Sequence, residues 1–190
     1  MKKNLLIAVL MTVATTVLFG LVYPLVVTVL AQLFMKDKAN GQLIVQNGTP
    51  IGSRIIGQPF TGPGYFHSRP SAAGTGYDAA NSSASNLGPT NHALIDRVTA
   101  SVAATQPENP SAPVPVDLVT TSGSGLDPDI SPASAEFQIP RIAHERNLSE
   151  SDIRQLVSDH TQGRQLGFLG EARVNVVALN LALDEKSPRH

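Results

Sequence analysis

From Leu5 to Phe34 the chain runs 30 residues without a charged side chain. At about 1.5 Å per residue a helix of that length reaches roughly 45 Å, against a hydrocarbon core of about 30 Å. The segment therefore reads as one transmembrane helix, residues 5–34, held in a lipid bilayer. Lys2 and Lys3 ahead of Leu5–Met11 also fit the start of a secretory signal, with Val29-Leu30-Ala31 as a cleavage site. The apolar core of a cleaved signal is only about 7–15 residues long, so a retained anchor is expected. Pro24 removes one helix hydrogen bond and predicts a kink. Thr12, Thr15, Thr16 and Gly20 are small or hydroxylated side chains suited to packing against another helix. Lys2, Lys3 and the amino terminus face Lys36 and Lys38, diluted by Asp37. That asymmetry favours an N-terminus inside, with residues 1–4 cytoplasmic and 35–190 an extracytoplasmic domain.

From Ala39 onward the chain carries ten Lys/Arg against fourteen Asp/Glu and no basic run. A surface of that balance cannot track a phosphate backbone, and no nucleic acid partner is expected. The chain has no cysteine, which excludes a disulfide framework, thiolate metal sites and a cysteine nucleophile. Twelve of the fourteen prolines lie between Pro50 and Pro140, so turns and loops dominate there. Gly41–Gln46, closed by Asn47-Gly48, reads as a strand with Ser53–Gly57 as its hairpin partner. Val114–Thr121 is a further strand candidate. Leu94, Ile95, Val98 and Val102 predict a helix over 91–106, stopped by Pro107. Ser131-Pro132 starts another, burying Ala135, Ile139, Ile142 and Ala143, with Pro140 expected to kink or divide it. Ser149–Asp152 is a capping box ahead of the stripe Ile153, Leu156, Val157 and His160. Val174–Leu183 predicts a last helix capped by Asn175. Such a mixture without regular alternation is α+β: a small sheet and three to four helices behind one membrane helix.

No phosphate-binding loop of the Gly-x4-Gly-Lys-Ser/Thr type occurs. Ser122 to Asp129 holds two serines and two aspartates in a Gly/Pro turn, where Asp127 and Asp129 read as turn formers. Ser122 or Ser124 with a histidine and one of those aspartates would be the parts of a membrane-anchored extracytoplasmic hydrolase, the alternative function. The Gly-x-Ser-x-Gly signature fails because Ser122 stands where glycine is needed. His67, His92, His144 and His160 lack paired ligand spacing, so no metal site is expected. Catalytic residues are expected to be absent. Tyr65-Phe66-His67-Ser68-Arg69-Pro70-Ser71 concentrates aromatics and a guanidinium among turn residues and reads as a loop anchor or a partner-binding loop. Gln138, Arg141 and Glu145 share one helix face, with an Arg–Glu pair as the default.

Blocks along the whole chain carry a resemblance. They are Val22-Tyr23-Pro24-Leu25, Gly57-Gln58-Pro59-Phe60, Gly64 through Ala72, Ser85-Asn86-Leu87, Leu118-Val119-Thr120 with Ser124–Asp127, Gln138–Arg141 with Arg146–Ser149, and Val174-Asn175 through Asp184. In this order they resemble the C subunit of the Kdp potassium-transporting P-type ATPase, the KdpC family. The resemblance implies a non-catalytic accessory subunit with no cofactor of its own. Its implied partners are a channel-like potassium-translocating subunit and a P-type ATP-hydrolysing subunit, which together handle potassium and ATP. It also implies a bacterial inner-membrane location; from the residues themselves, Tyr65, Phe66, Arg69, Gln138 and Arg141 are the candidate partner contacts, and Thr15, Gly20, Tyr23 and Pro24 the candidates for helix packing. The family has further been described as a catalytic chaperone raising the ATP affinity of the P-type subunit, through a Leu-Ser segment like the ABC-transporter signature. Here Leu148-Ser149-Glu150-Ser151-Asp152 lacks both glycines and the glutamine of that signature, and Ser149 would be its nucleotide-contacting residue.

Overall fold

A computed structural model describes residues 1–188, and its contacts divide the chain into two units, Met1–Leu43 and Ile44–His190. In the first unit helix α1 (Lys2–Val17) passes through one π-helical turn (Leu18–Val22) into α2 (Tyr23–Phe34). None of these residues is buried, so the apolar surface has no protein cover within the chain, as lipid-facing surface requires. The expected disturbance at Pro24 takes the form of that wide turn. Tyr23 N–H donates back to the Leu18 carbonyl, five residues away, inserting one extra residue where the proline ring would crowd the preceding turn. Beyond Met35, the short helix α3 (Lys36–Ala39) is tied back by a reciprocal amide pair between Gln32 and Asn40 at 3.1 and 3.3 Å.

The second unit begins on a hairpin. β1 (Leu43–Gln46) turns through Asn47-Gly48 into β2 (Thr49–Ser53), so the partner strand starts four residues earlier than the predicted Ser53–Gly57. Both turn residues have positive φ, 51° and 79°, the conformation that reverses a chain in two residues and leaves nothing to bridge a longer loop. The predicted strand at 114–121 is instead a 3₁₀ turn, Val116–Leu118. Pro113 and Pro115 cannot donate to a sheet ladder, and Leu118 N–H closes onto the Pro115 carbonyl at 3.1 Å.

Four longer helices follow in α4 (His92–Thr105), α5 (Pro132–Arg146), α6 (Glu150–Asp159) and α7 (Val176–Lys186). Asn91, Ser131, Ser149 and Asn175 cap them, each accepting a backbone N–H, which satisfies donors that have no partner inside the first turn. Helix α5 runs through Pro140 undivided. The proline forfeits only the bond to the carbonyl of Glu136, an exposed residue, so the loss falls on the solvated side; the neighbouring Phe137 carbonyl accepts the Asn109 amide at 3.2 Å. Three two- or three-residue strands form an antiparallel sheet in the order β3-β5-β4: β3 (Asp129–Ile130), β5 (Arg173–Asn175) and β4 (Thr161–Gln162). Val174 pairs with Ile130 on one side and Thr161 on the other. Against this sheet α5, α6 and α7 close a core of Ile130, Ile139, Ile142, Ile153, Val174, Val176, Leu179 and Leu183.

One loop residue enters that core, Phe66, with no exposed surface. The long irregular segment that carries it is laced to the 120–127 stretch: Gly57 N–H to the Leu126 carbonyl, Ser83 N–H to the Ser124 carbonyl, and Ser71 Oγ to the Gly125 carbonyl at 2.6 Å. Gly125 is where the two backbones meet. At φ +67°, a Cβ there would lie 2.5 Å from the Ser83 carbonyl oxygen and 2.7 Å from Ala73 N, so only glycine fits.

Candidate functional site

The Tyr65–Arg69 segment is positioned by amides on two different helices. Asn180 of α7 accepts the Phe66 N–H at 2.8 Å and donates to the Phe66 carbonyl at 2.9 Å. Gln138 of α5 does the same one residue on, accepting His67 N–H at 2.7 Å and donating to the His67 carbonyl at 3.2 Å. Each amide thus reads one residue as a neighbouring strand would, satisfying backbone groups that burial would otherwise strand. The aromatics and guanidinium of this segment hold a long loop in place. Phe66 fills the core, and Tyr77 donates its hydroxyl to the Arg69 carbonyl.

Two arginines of α5 complete the clamp. Arg141 donates from Nε to Glu108 at 2.8 Å, from Nη1 to the Pro63 and Tyr65 carbonyls and from Nη2 to Gln138 Oε1. The expected pairing with Glu145 is therefore replaced: Glu108 sits in the 3₁₀ turn after α4, and Glu145 faces His144 at 3.5 Å. Arg146 is buried, donating to the Gly64 and Ser187 carbonyls and to Asp184, with its guanidinium carbon 4.6 Å above the Tyr65 ring.

His67 sits within this clamp, its Nε2 3.1 Å from the Gly62 carbonyl, so that nitrogen carries the proton and donates it. Burial holds the imidazole below its ordinary value of 6.5, the nearby Arg141 charge acts in the same direction, and the bond to Gly62 opposes both. The unfolded chain then takes up its proton at a higher pH than the folded one, so folding stability rises with pH across that interval. We expect the urea midpoint to fall as pH drops below about 6.5. His67→Gln, which keeps a donor for Gly62, should flatten that part of the profile between about pH 5 and pH 8.

Arg69 turns the other way, to Asp127 at 3.0 Å and to the Thr120 and Thr121 carbonyls. It lines a cleft of about 380 Å³ with Asp117, Asp129, Glu171 and Arg173. Asp127 Oδ1 accepts Asp129 N–H, the turn role expected of it, and Asp129 pairs with Arg173 at 3.0 Å. Desolvation raises the Asp129 carboxyl above the ordinary range. No hydrolytic triad is assembled among the described residues. Ser122 and Ser124 hydroxyls accept the N–H of Gly125 and Leu126, and the rings of His67 and His160 meet backbone carbonyls. Ser149 Oγ accepts Asp152 N–H at 3.1 Å and donates to Asp152 Oδ2 at 2.6 Å, so the helix cap forms with the acid held on the Ser149 hydroxyl. In the membrane unit Thr15 bonds its hydroxyl to the Met11 carbonyl, while Gly20 lies within the π turn and Tyr23 and Pro24 just after it.

The structure thus brings Tyr65, Phe66, Gln138 and Arg141 into one cluster, places Arg69 at the cleft, and leaves Ser149 at a separate helix start. Sequence reading missed Asn180, Arg146 and Asp184. Asn180 carried a signal, as the only polar side chain between Val176 and Leu183.

A family model described as "KdpC: K+-transporting ATPase, c chain" matches residues 5–185. The chain is 68% identical over 188 residues to the potassium-transporting ATPase KdpC subunit of Koribacter versatilis, covering 99% of this chain and 97% of that one. It is 57% identical to the KdpC subunits of both Rhodopseudomonas palustris and Acidobacterium capsulatum, over 97% and 96% of this chain and 98% of each relative.

Proposed function

Because the chain belongs to the KdpC family, the accessory c chain of the potassium-transporting ATPase, we propose that it stabilises the assembly of that complex and performs no chemistry itself. The observation that carries this reading is the use made of its polar side chains. Gln138, Arg141, Arg146 and Asn180 bind the chain's own backbone, and the candidate serines are occupied as turn and helix caps. The partners are a channel-like potassium-translocating subunit and a P-type ATP-hydrolysing subunit. The helix lies in a bacterial inner membrane with its N-terminus inside. Residues 35–190 form the extracytoplasmic domain, beside the outer ion entrance, where ATP is absent. Thr15, Gly20, Tyr23 and Pro24 pack the anchor against neighbouring helices.

Two measurements test this. The chain should co-purify in mild detergent with both partner subunits; recovery only as a free monomer from cells expressing all of them would overturn the assembly role. In intact cells with a permeabilised outer envelope, Ser151→Cys, at an exposed position of a cysteine-free chain, should react with a membrane-impermeant thiol reagent. Protection until lysis would place the domain inside and make Ser149 and nucleotide the leading subject instead.

A further inference from the structure

The apolar helix ends a few residues from an apolar strand. Gln32 carries the only side-chain amide from Leu5 to Phe34. It marks the level at which α2 leaves hydrocarbon for the polar interface, because an amide inside lipid finds no water to bond. Its partner at that level is Asn40, which also donates to the Lys36 carbonyl at 2.8 Å. Gly41 and Gln42 then turn the chain at φ of 83° and 48°, with Gln42 N–H on the Asp37 carbonyl at 3.0 Å, and β1 begins at Leu43. Three residues reach at most about 11 Å and five about 18 Å. Chain length alone therefore keeps Leu43 and Val45 within those distances of Asn40.

Leu43 and Val45 share one face of β1 and are 55% and 58% exposed, whereas Ile44 between them is half-buried. Because the hairpin reverses in two residues, the end of β2 returns beside the start of β1. That brings Arg54 and the exposed Ile55 to the same end of the hairpin. Lys36, Lys38 and Arg54 are exposed, and none has an ion pair among the described residues. Large apolar side chains accompanied by unpaired cations make up the composition of a membrane-surface contact, in which the first enter the headgroup boundary and the second lie over anionic lipid.

Charge is segregated along the sequence in the same sense. Residues 35–56 carry three bases against one acid, and residues 57–190 nine bases against fourteen acids. An anionic bilayer attracts the first stretch and repels the second, so it draws the base of the hairpin toward itself and turns the rest of the domain away. The short tether selects lipid as the occupant, since a bilayer lies at the level of Gln32 wherever the helix is inserted. We propose that the base of the β1–β2 hairpin, Leu43, Val45 and Ile55 together with Lys36, Lys38 and Arg54, is an interfacial foot seated on the anionic headgroups of the membrane that holds the helix. The inference rests on the membrane reading of residues 5–34; it holds for either sidedness and does not depend on the assembly role.

The test uses the full cysteine-free chain in vesicles of phosphatidylcholine with and without phosphatidylglycerol. Val45→Cys carries an environment-sensitive fluorophore, and Ser151→Cys, exposed on α6, is the comparison. Spin-labelled lipid should quench the label at position 45 and leave that at position 151 bright, with a difference that widens when phosphatidylglycerol is present and narrows at high salt. Arg54→Gln should lower the ratio of seated to lifted hairpins about fivefold in the anionic vesicles, the effect of one base lost near such a surface. In phosphatidylcholine alone it should change nothing, and the thermal melt should stay as it was because that side chain is exposed. Equal quenching at both positions, or quenching at position 45 that responds neither to phosphatidylglycerol nor to Arg54→Gln, would overturn the proposal. So would loss of the quenching when the labelled chain is assembled into the ATPase complex, since a protein surface would then cover the hairpin. Failure of the unaltered chain to stay with the vesicles through an alkaline wash would instead sink the membrane reading of residues 5–34, and this inference with it.

Discussion

Asn180→Ala should destabilise the Ile44–His190 unit by about 3–5 kcal/mol, near the upper end of what a single substitution does. The Asn180 side chain is 1% exposed and Phe66 not at all, so neither the Phe66 N–H nor its carbonyl can turn to water once the amide is gone. Two stranded backbone groups cost about 1–3 kcal/mol each, and the truncated side chain leaves a gap between α7 and the loop. For a domain of this size that corresponds to a melting point lower by about 10 °C, read from the near-ultraviolet signal of Tyr65 and Tyr77. Asn180→Asp separates hydrogen bonding from packing. A carboxylate still accepts Phe66 N–H but sets its second oxygen against the Phe66 carbonyl. Only the protonated acid can donate there, so its folded-state pKa rises above the unfolded value of about 3.9. The variant should be poorly stable at neutral pH and regain stability as pH falls through that raised pKa. A melting point for Asn180→Ala within about 3 °C of wild type would show that the loop is held by Phe66 packing alone.

What the sequence announced and what it hid divide along physical lines. The long apolar helix was legible because thirty residues without charge admit few structures. The four helix starts were legible because Asn91, Ser131, Ser149 and Asn175 are side chains that bond their own backbone two or three residues on, an interaction wholly encoded in local spacing. The small sheet was not: Asp129–Ile130 and Thr161–Gln162 are strands of two residues, too short to show a period. They exist because Val174 between them is buried by α5 and α7, a tertiary cause. The hairpin was found, but its second strand was placed too late, since the Asn47-Gly48 turn itself dictates immediate return. Of the site, Tyr65, Phe66, Gln138 and Arg141 were singled out as polar or aromatic groups in costly settings. Their partners stayed hidden because Phe66 and Asn180 are 114 residues apart, and no local pattern encodes that pairing. The Gly163–Gly170 loop went unremarked for a related reason. Leu166, Phe168 and Leu169 in sequence look like three more core residues, and only the structure shows them largely exposed, at 83%, 69% and 49%.

Arg146→Met should cost about 3 kcal/mol, and the conservative Arg146→Lys most of the same. The guanidinium is 1% exposed and its three nitrogens address three separate acceptors, the Gly64 carbonyl, the Ser187 carbonyl and Asp184, at 2.7–2.8 Å. It joins the start of the Tyr65 segment to the end of α7 while lying over the Tyr65 ring, and Tyr65 in turn donates to the other oxygen of Asp184 at 3.0 Å. A methionine fills the volume but leaves two carbonyls without donors. A lysine supplies one compact charge whose donors cannot spread in a plane to three acceptors, and it stacks poorly on an aromatic face. The Asp184 side chain is 38% exposed, so losing its partner leaves a carboxylate that water can still reach, which keeps the cost below that of a fully buried pair. Asp184→Asn should accordingly cost much less, about 1 kcal/mol, since the amide oxygen still accepts one bond. A double-mutant cycle between Arg146→Met and Asp184→Asn gives the ion-pair share, expected to be the minor part. If the coupling equals the whole Arg146 effect, the arginine is an ion-pair partner; if it is small, its principal work is to hold two stretches of backbone, as its geometry indicates. In the second case Arg146→Met should also loosen the Tyr65–Arg69 segment, visible as faster amide exchange at Phe66 and His67 while the α6 amides, on a helix Arg146 does not bond, keep their protection.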